Sequence, residues 1–93
     1  MTELLALLAM YYACDEAASH RPMSLTKSDR VDCVATYYDV TAQFALDPLA
    51  PDGTAQHAAQ RRAAYVAFKT WEAENADLVA TMRAQARFKV LYD

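Results

Sequence analysis

Glycine is almost absent from this sequence, because Gly53 is the only one among 93 residues. β-Sheets in a domain of this size need several tight turns, and those turns are usually built on glycine or asparagine. A glycine-rich loop that wraps nucleotide phosphates is excluded for the same reason. Alanine, leucine, valine, tyrosine and methionine are plentiful, and together with the missing glycines they predict an all-α protein.

Long apolar runs are missing as well. No segment approaches the roughly 18–20 apolar residues that a membrane-spanning helix requires. The apolar run Leu4–Tyr12 has no basic segment before it, and acidic residues follow at positions 15 and 16, where a signal peptide carries small residues. We therefore expect no membrane segment and a cytoplasmic location.

Residues that could carry chemistry do not cluster. The possible zinc ligands show no pair at the close spacing of structural zinc sites; they are Cys14, His20, Cys33 and His57. No thiol or hydroxyl has both a histidine and a third, orienting group at a suitable spacing, which nucleophilic catalysis would require. We therefore expect no catalytic residues, no metal site and no cofactor.

The apolar periodicity predicts three helices. They span residues 3–20, 27–46 and 54–90, with a capping box at Thr26–Asp29 and a loop over residues 47–53. The short link after the first helix predicts an antiparallel hairpin, along which the long third helix packs. We thus predict a single domain over residues 1–93, an all-α three-helix bundle that forms a dimer.

The hairpin places pairs of residues at equal heights. Tyr11 and Tyr12 come near Tyr37 and Tyr38, which predicts a shared aromatic layer, and Cys14 lies level with Cys33. A disulfide between the cysteines is sterically possible. Because a cytoplasmic protein keeps its thiols reduced, we expect both cysteines to be unbonded.

The second helix carries a polar strip and two apolar stripes. The acidic members of the strip form a candidate contact surface for a basic partner, or simply the solvated face of the helix; they are Asp29, Asp32, Asp39 and Asp47. The stripes (Val31, Val34, Tyr38, Ala42, Ala45 and Cys33, Tyr37, Val40, Phe44) cover roughly 220° of the helix surface. One neighbour needs about half that width, so we expect partners on two sides, in this chain or in another copy.

The third helix carries an apolar seam at heptad spacing, formed by Phe68, Trp71, Asn75, Leu78 and Met82. The seam keeps its phase across residues 74–77, which favours an unbroken helix with Asn75 as a register-setting residue or a satisfied core amide. A helix of about 52 Å is much longer than the other two, each under about 30 Å. The helix therefore either kinks near Asn75 or packs its free end outside this subunit, and we expect the seam to contact a second copy or a partner.

The third helix also has a basic side, which is an alternative nucleic-acid contact surface; its members are Arg61, Arg62, Lys69, Arg83 and Arg87. Glu72 interrupts this side, and the net charge of the chain is −3. The competing interpretation is a solvated face with ion pairs inside the helix, such as Lys69 with Glu72.

The predicted function follows from surplus apolar surface and from the lack of clustered chemistry. We expect a non-enzymatic protein–protein interaction module, meaning a small regulator, adaptor or inhibitor that binds another protein and forms a homodimer. Large aromatic side chains and methionine are typical of protein contacts. A nucleic-acid-binding regulator is the alternative, and a small-molecule sensor with an aromatic pocket between the helices is the second alternative.

Overall fold

A computed structural model describes residues 2–92 of the chain, and the side chains of residues 3–92. This part contains four α-helices and no strand: α1 spans Thr2–His20, α2 Lys27–Ala42, α3 Ala55–Glu74 and α4 Ala76–Tyr92, with a short 3-10 turn at Pro22–Ser24. The all-α prediction is confirmed, whereas the prediction of three helices is wrong. Within residues 2–92, no helix has the length and apolar content needed to cross a membrane.

The predicted third helix is broken at Asn75, which separates α3 from α4. The backbone of Asn75 leaves the helical region at φ −122° and ψ 39°, and its side-chain amide donates a hydrogen bond of 2.9 Å to the carbonyl of Trp71. Its own carbonyl accepts from the backbone N–H of Val79 at 3.0 Å, which starts α4. Asn75 is therefore a helix-terminating residue, not a register-setting one, and the kink is the alternative that the structure adopts.

Helices α1 and α2 form the antiparallel pair that the sequence predicts. Thr26 and Asp29 make the predicted capping box, with hydrogen bonds of 2.9 and 3.0 Å in the two directions. The rings of Tyr11 and Tyr37 lie 6.0 Å apart, which confirms the aromatic layer. The expectation of unbonded cysteines is wrong, because a disulfide joins Cys14 to Cys33 across the pair, with 5.7 Å between their Cα atoms.

Helix α2 ends at Ala42, four residues before its predicted end. The next backbone N–H groups, from Gln43 to Ala45, donate to carbonyls three residues back rather than four, so the chain tightens as it leaves the helix. Phe44 then turns inward, and its ring lies 5.5 Å from that of Phe68. Because Asp47 follows this turn, it does not continue the polar strip of α2.

Helix α1 packs against α2 on one side and α4 on the other, while α3 packs against α2. Arg83 reaches Asp15 and Arg87 reaches Glu16, so α4 runs parallel to α1. In the described part of the chain no Cα atom of α1 lies within 8 Å of one in α3. Large side chains fill this space, and the buried cluster consists of Leu8, Tyr12, Val40, Phe68 and Ala86.

The residues of the predicted third-helix seam lie in different environments. Phe68 is fully buried and belongs to the core, while Trp71, Asn75 and Met82 are half-buried. Leu78 is 38% exposed. The kink at Asn75 divides the seam between two helices, with Phe68 in the core of this chain and Leu78 as its most exposed member.

Candidate functional site

The outer face of α2, which we define as Val31, Val34 and Tyr38, departs from an ordinary solvated helix surface. These three side chains are 61%, 54% and 48% exposed, and their spacing of three and four residues places them on one stripe. The other apolar stripe of α2 faces inward, where Val40 is fully buried. The sequence identifies both stripes, and the structure shows which of them is left uncovered within the chain.

Arg61 of α3 holds the ring of Tyr38 in place. Its guanidinium carbon lies 4.8 Å from the centre of that ring, and one of its nitrogens donates to the backbone carbonyl of Tyr38 at 3.3 Å and to the hydroxyl of Thr41 at 3.4 Å. Stacking of this kind restricts the side chain before any partner arrives. Tyr38 is therefore a preorganised aromatic group on an exposed surface.

The predicted acidic strip is only partly a continuous row of exposed side chains. Asp32 and Asp39 are exposed on α2 beside the outer face, but Thr36, which lies between them in the strip, is 6% exposed and donates to the carbonyl of Asp32 at 2.9 Å. Asp29 is exposed and occupied in the capping box, where the backbone N–H and the side chain of Thr26 lower the pKa of its carboxyl group. Asp47 is exposed beyond the helix. The strip therefore reduces to Asp29, Asp32 and Asp39.

A buried carboxylate joins α3 to α1. Glu72 is 9% exposed; it accepts a hydrogen bond of 2.7 Å from the hydroxyl of Tyr12 and contacts the ammonium group of Lys69 at 2.6 Å. The predicted ion pair between Lys69 and Glu72 is thus present. Tyr12 is fully buried, and its hydroxyl gains a partner that compensates the cost of burying a polar group.

A second ionic network joins α1 to α4. Glu16 is 7% exposed; it contacts Arg87 at 2.7 Å and Arg83 at 3.4 Å, and Arg83 also contacts Asp15 at 2.7 Å. The guanidinium carbon of Arg83 lies 4.6 Å from the centre of the Tyr12 ring. No local sequence pattern predicts that Glu16 is buried, because its partners Arg83 and Arg87 come from a distant helix.

These networks account for most of the predicted nucleic-acid surface. Lys69, Arg83 and Arg87 are paired with carboxylates, and Arg61 is half-buried against α2. Arg62 is exposed. Three of the five basic residues are therefore paired with carboxylates of this chain, and that pairing reduces the positive charge available to a phosphate backbone.

Burial makes the Tyr12 hydroxyl a source of pH-dependent stability. Desolvation, followed by the hydrogen bond and the negative charge of Glu72, raises the pKa of Tyr12 above its ordinary value of 10.0. As the pH rises past 10.0, the unfolded chain ionises this tyrosine while the folded chain does not. The free energy of unfolding contributed by Tyr12 is therefore complete below that pH and falls above it.

We expect Tyr12→Phe to flatten the fall in stability at alkaline pH. The measurement is urea unfolding at several pH values on both sides of 10, comparing the slope of unfolding free energy against pH. Tyr92→Phe, at a tyrosine that is 73% exposed, is the matched control and should keep the wild-type slope. Equal slopes for the wild type and Tyr12→Phe would show that Tyr12 does not carry this effect.

The aromatic side chains pack on one another rather than around a central pocket. The Phe68 ring lies 5.7 Å from that of Tyr11 and 5.5 Å from that of Phe44. Within residues 2–92, no group of three or more His, Cys, Asp or Glu side chains is arranged to hold a metal ion. Comparison with protein-family models, with curated protein sequences and with solved structures finds no match for this chain.

Proposed function

We propose that this protein is a non-enzymatic interaction module, a small regulator, adaptor or inhibitor that binds another protein through the outer face of α2. The exposed stripe of Val31, Val34 and Tyr38 is the observation that carries the proposal. Scattered apolar side chains on a surface are ordinary. A continuous stripe at helical spacing, with a fixed aromatic ring at one end, is typical of a contact surface.

The carboxylates along one edge of the outer face indicate the chemistry of the partner on that side. Asp32 and Asp39 lie seven residues apart along one edge of the stripe, so they stand on the same side of the helix. A partner that places apolar side chains on Val34 and Tyr38 would bring its own flank against these carboxylates. A basic flank is attracted there and an acidic one is repelled. An amphipathic helix with one basic edge meets both requirements.

The two alternatives have no observation of comparable weight. A nucleic-acid-binding role requires outward positive charge, and Lys69, Arg83 and Arg87 are engaged with carboxylates of this chain. A sensor with an aromatic pocket requires open space between rings, and the rings of Tyr11, Phe44 and Phe68 fill that space. The outer face of α2 therefore supports protein binding best.

Two further expectations remain predictions. Homodimerisation through the third-helix seam would have to use residues other than Phe68, because that side chain is in the core. A cytoplasmic location is in tension with the disulfide between Cys14 and Cys33, since the cytosol keeps most thiols reduced and disulfides persist in oxidising compartments.

We expect the outer face of α2 to bind a synthetic amphipathic helix that has leucines at heptad spacing and lysines along one flank. Val34→Asp places a charge in the middle of the contact and should weaken binding about tenfold or more. Fluorescence anisotropy of the labelled peptide measures this affinity. The matched control is Val66→Asp on α3, at a valine as exposed as Val31 (61% each), which should leave binding unchanged.

The charge requirement has its own control. The same peptide with glutamates in place of lysines should bind more weakly, and the double variant Asp32→Lys/Asp39→Lys should reverse that preference. Equal affinity of the wild type and Val34→Asp for the lysine peptide would contradict the proposed surface. Equal affinity of the wild type for both peptides would contradict the basic partner.

A further inference from the structure

A second uncovered surface lies where α1 and α4 run side by side. A groove of 720 Å³ opens between them, and its lining includes Met10, Ala13, Met82 and Phe88. Met10 is 55% exposed and Phe88 62%. Between Glu3 and Asp15, helix α1 carries no charged residue. We call this surface the α1–α4 face, and it is separate from the outer face of α2.

Helix α4 contributes a regular, mostly apolar row to the α1–α4 face, in which Gln85 is the polar member. Leu78, Gln85, Phe88 and Tyr92 are spaced by seven, three and four residues, and all four are exposed, which is the spacing at which one helix contacts another. The rings of Phe88 and Tyr92 lie 5.0 Å apart. Such a row is typical of a helix–helix contact, and the described residues of this chain do not cover it.

The charges of the α1–α4 face are separated along its length. Helices α1 and α4 run parallel, as the contact of Arg83 with Asp15 and that of Arg21 with the carbonyl of Leu91 show. Glu3 therefore lies toward one end of the face, together with Asp77 in the first turn of α4. Lys89 lines the groove toward the other end. The face has an acidic end and a basic end with apolar surface between them.

We propose that a second copy of this chain covers the α1–α4 face, with the helices of the two copies antiparallel and related by a two-fold axis. In that arrangement the acidic end of each copy meets the basic end of the other, so Glu3 and Lys89 face each other twice. A parallel arrangement would place like charges together. The antiparallel arrangement also brings together α1 and α4 of each copy, and this contact buries the exposed row of both α4 helices.

Sedimentation velocity over a range of protein concentrations tests this proposal. The wild type should associate to twice the mass of one chain, and Phe88→Glu should weaken association about tenfold or more because it buries a charge in an apolar contact. Val34→Asp on α2 is the control and should associate like the wild type. Circular dichroism of each variant verifies that the helices are retained.

A charge exchange tests the orientation of the two copies. Lys89→Glu should weaken association because it faces Glu3 of the other copy, and adding Glu3→Lys should restore part of the loss. A wild type that remains a monomer at every concentration would overturn the proposal. It would also be overturned by a dimer that Val34→Asp abolishes and Phe88→Glu does not, or by a Glu3→Lys/Lys89→Glu variant no better than Lys89→Glu alone.

The experiments test the dimer and the proposed binding of a partner independently. Peptide binding that is lost in Val34→Asp, in a protein that never associates, would leave the outer face of α2 as the only contact surface. Association that is lost in Phe88→Glu, in a protein that does not bind the lysine peptide, would leave the α1–α4 face alone. A peptide that binds at Met10 and Phe88 of a protein that never associates would show that an unrelated helix occupies the α1–α4 face, against the proposal of a second copy.

Discussion

Phe68→Ala should lower the free energy of unfolding by about 3–5 kcal/mol. Phe68 is fully buried, and its ring packs between Tyr11 and Phe44. Removing the Phe68 ring leaves a cavity between α1 and α3. The Tyr12–Glu72 hydrogen bond and other large side chains span the distance between these two helices and fix it. Because the helices cannot close easily over the gap, the loss should be near the upper part of the range.

Leu78→Ala is the internal control for that experiment, since Leu78 belonged to the same predicted seam. It is 38% exposed at the beginning of α4, so its truncation should cost about 1 kcal/mol or less. Urea unfolding followed by circular dichroism measures both variants. Similar losses for Phe68→Ala and Leu78→Ala would mean that the seam is continuous and that the division at Asn75 is wrong.

Reducing the disulfide should have the second-largest effect. Cys14 and Cys33 are 19 residues apart, and closing a loop of about that length in the unfolded chain is worth about 3 kcal/mol. Dithiothreitol should therefore lower the free energy of unfolding of the wild type by about this amount. The double variant Cys14→Ser/Cys33→Ser should show a similar loss without the reagent.

The double variant also provides the control, because dithiothreitol should not change its stability further. Mass spectrometry after alkylation verifies that the Cys14–Cys33 disulfide is present in the untreated wild type and absent after reduction. An unfolding curve of the wild type that does not respond to dithiothreitol, together with thiols that alkylate without reduction, would show that Cys14 and Cys33 are not joined.

Local signals in the sequence predicted local structure well. Thr26 with Asp29 marked the start of α2, because capping depends on residues only three positions apart. The short connection between the first two helices was enough to predict which tyrosines and cysteines lie opposite each other in the hairpin. The expectation of a cytoplasmic compartment led to the wrong redox state for Cys14 and Cys33.

The break at Asn75 could not be read from the apolar pattern. Trp71 and Leu78 keep the same heptad spacing in the sequence whether or not the helix is continuous between them. The apolar pattern therefore does not reveal that Asn75 lies outside the helical region. Asparagine is a common helix-terminating residue, and this was the available signal. The mismatch in helix length pointed to the same place.

The interhelical contacts of charged residues were beyond any local pattern. Glutamate is normally exposed to solvent, yet Glu16 and Glu72 are buried because Arg87 and Tyr12 contact them from other helices. Which stripe of α2 faces inward was likewise undecided, since both Val34 and Val40 are apolar. That choice depends on the position of α3, which the sequence pattern does not specify.

We infer that the outer face of α2 is a binding surface for a basic, apolar helix of another protein. Nuclear magnetic resonance of the labelled chain, titrated with the lysine peptide, tests it most directly by locating the contact. We expect chemical-shift changes that saturate and that concentrate at Val31, Val34, Tyr38 and the adjacent Asp32 and Asp39. Shifts that concentrate at Met10 and Phe88 instead, or that spread over all four helices without saturation, would contradict it.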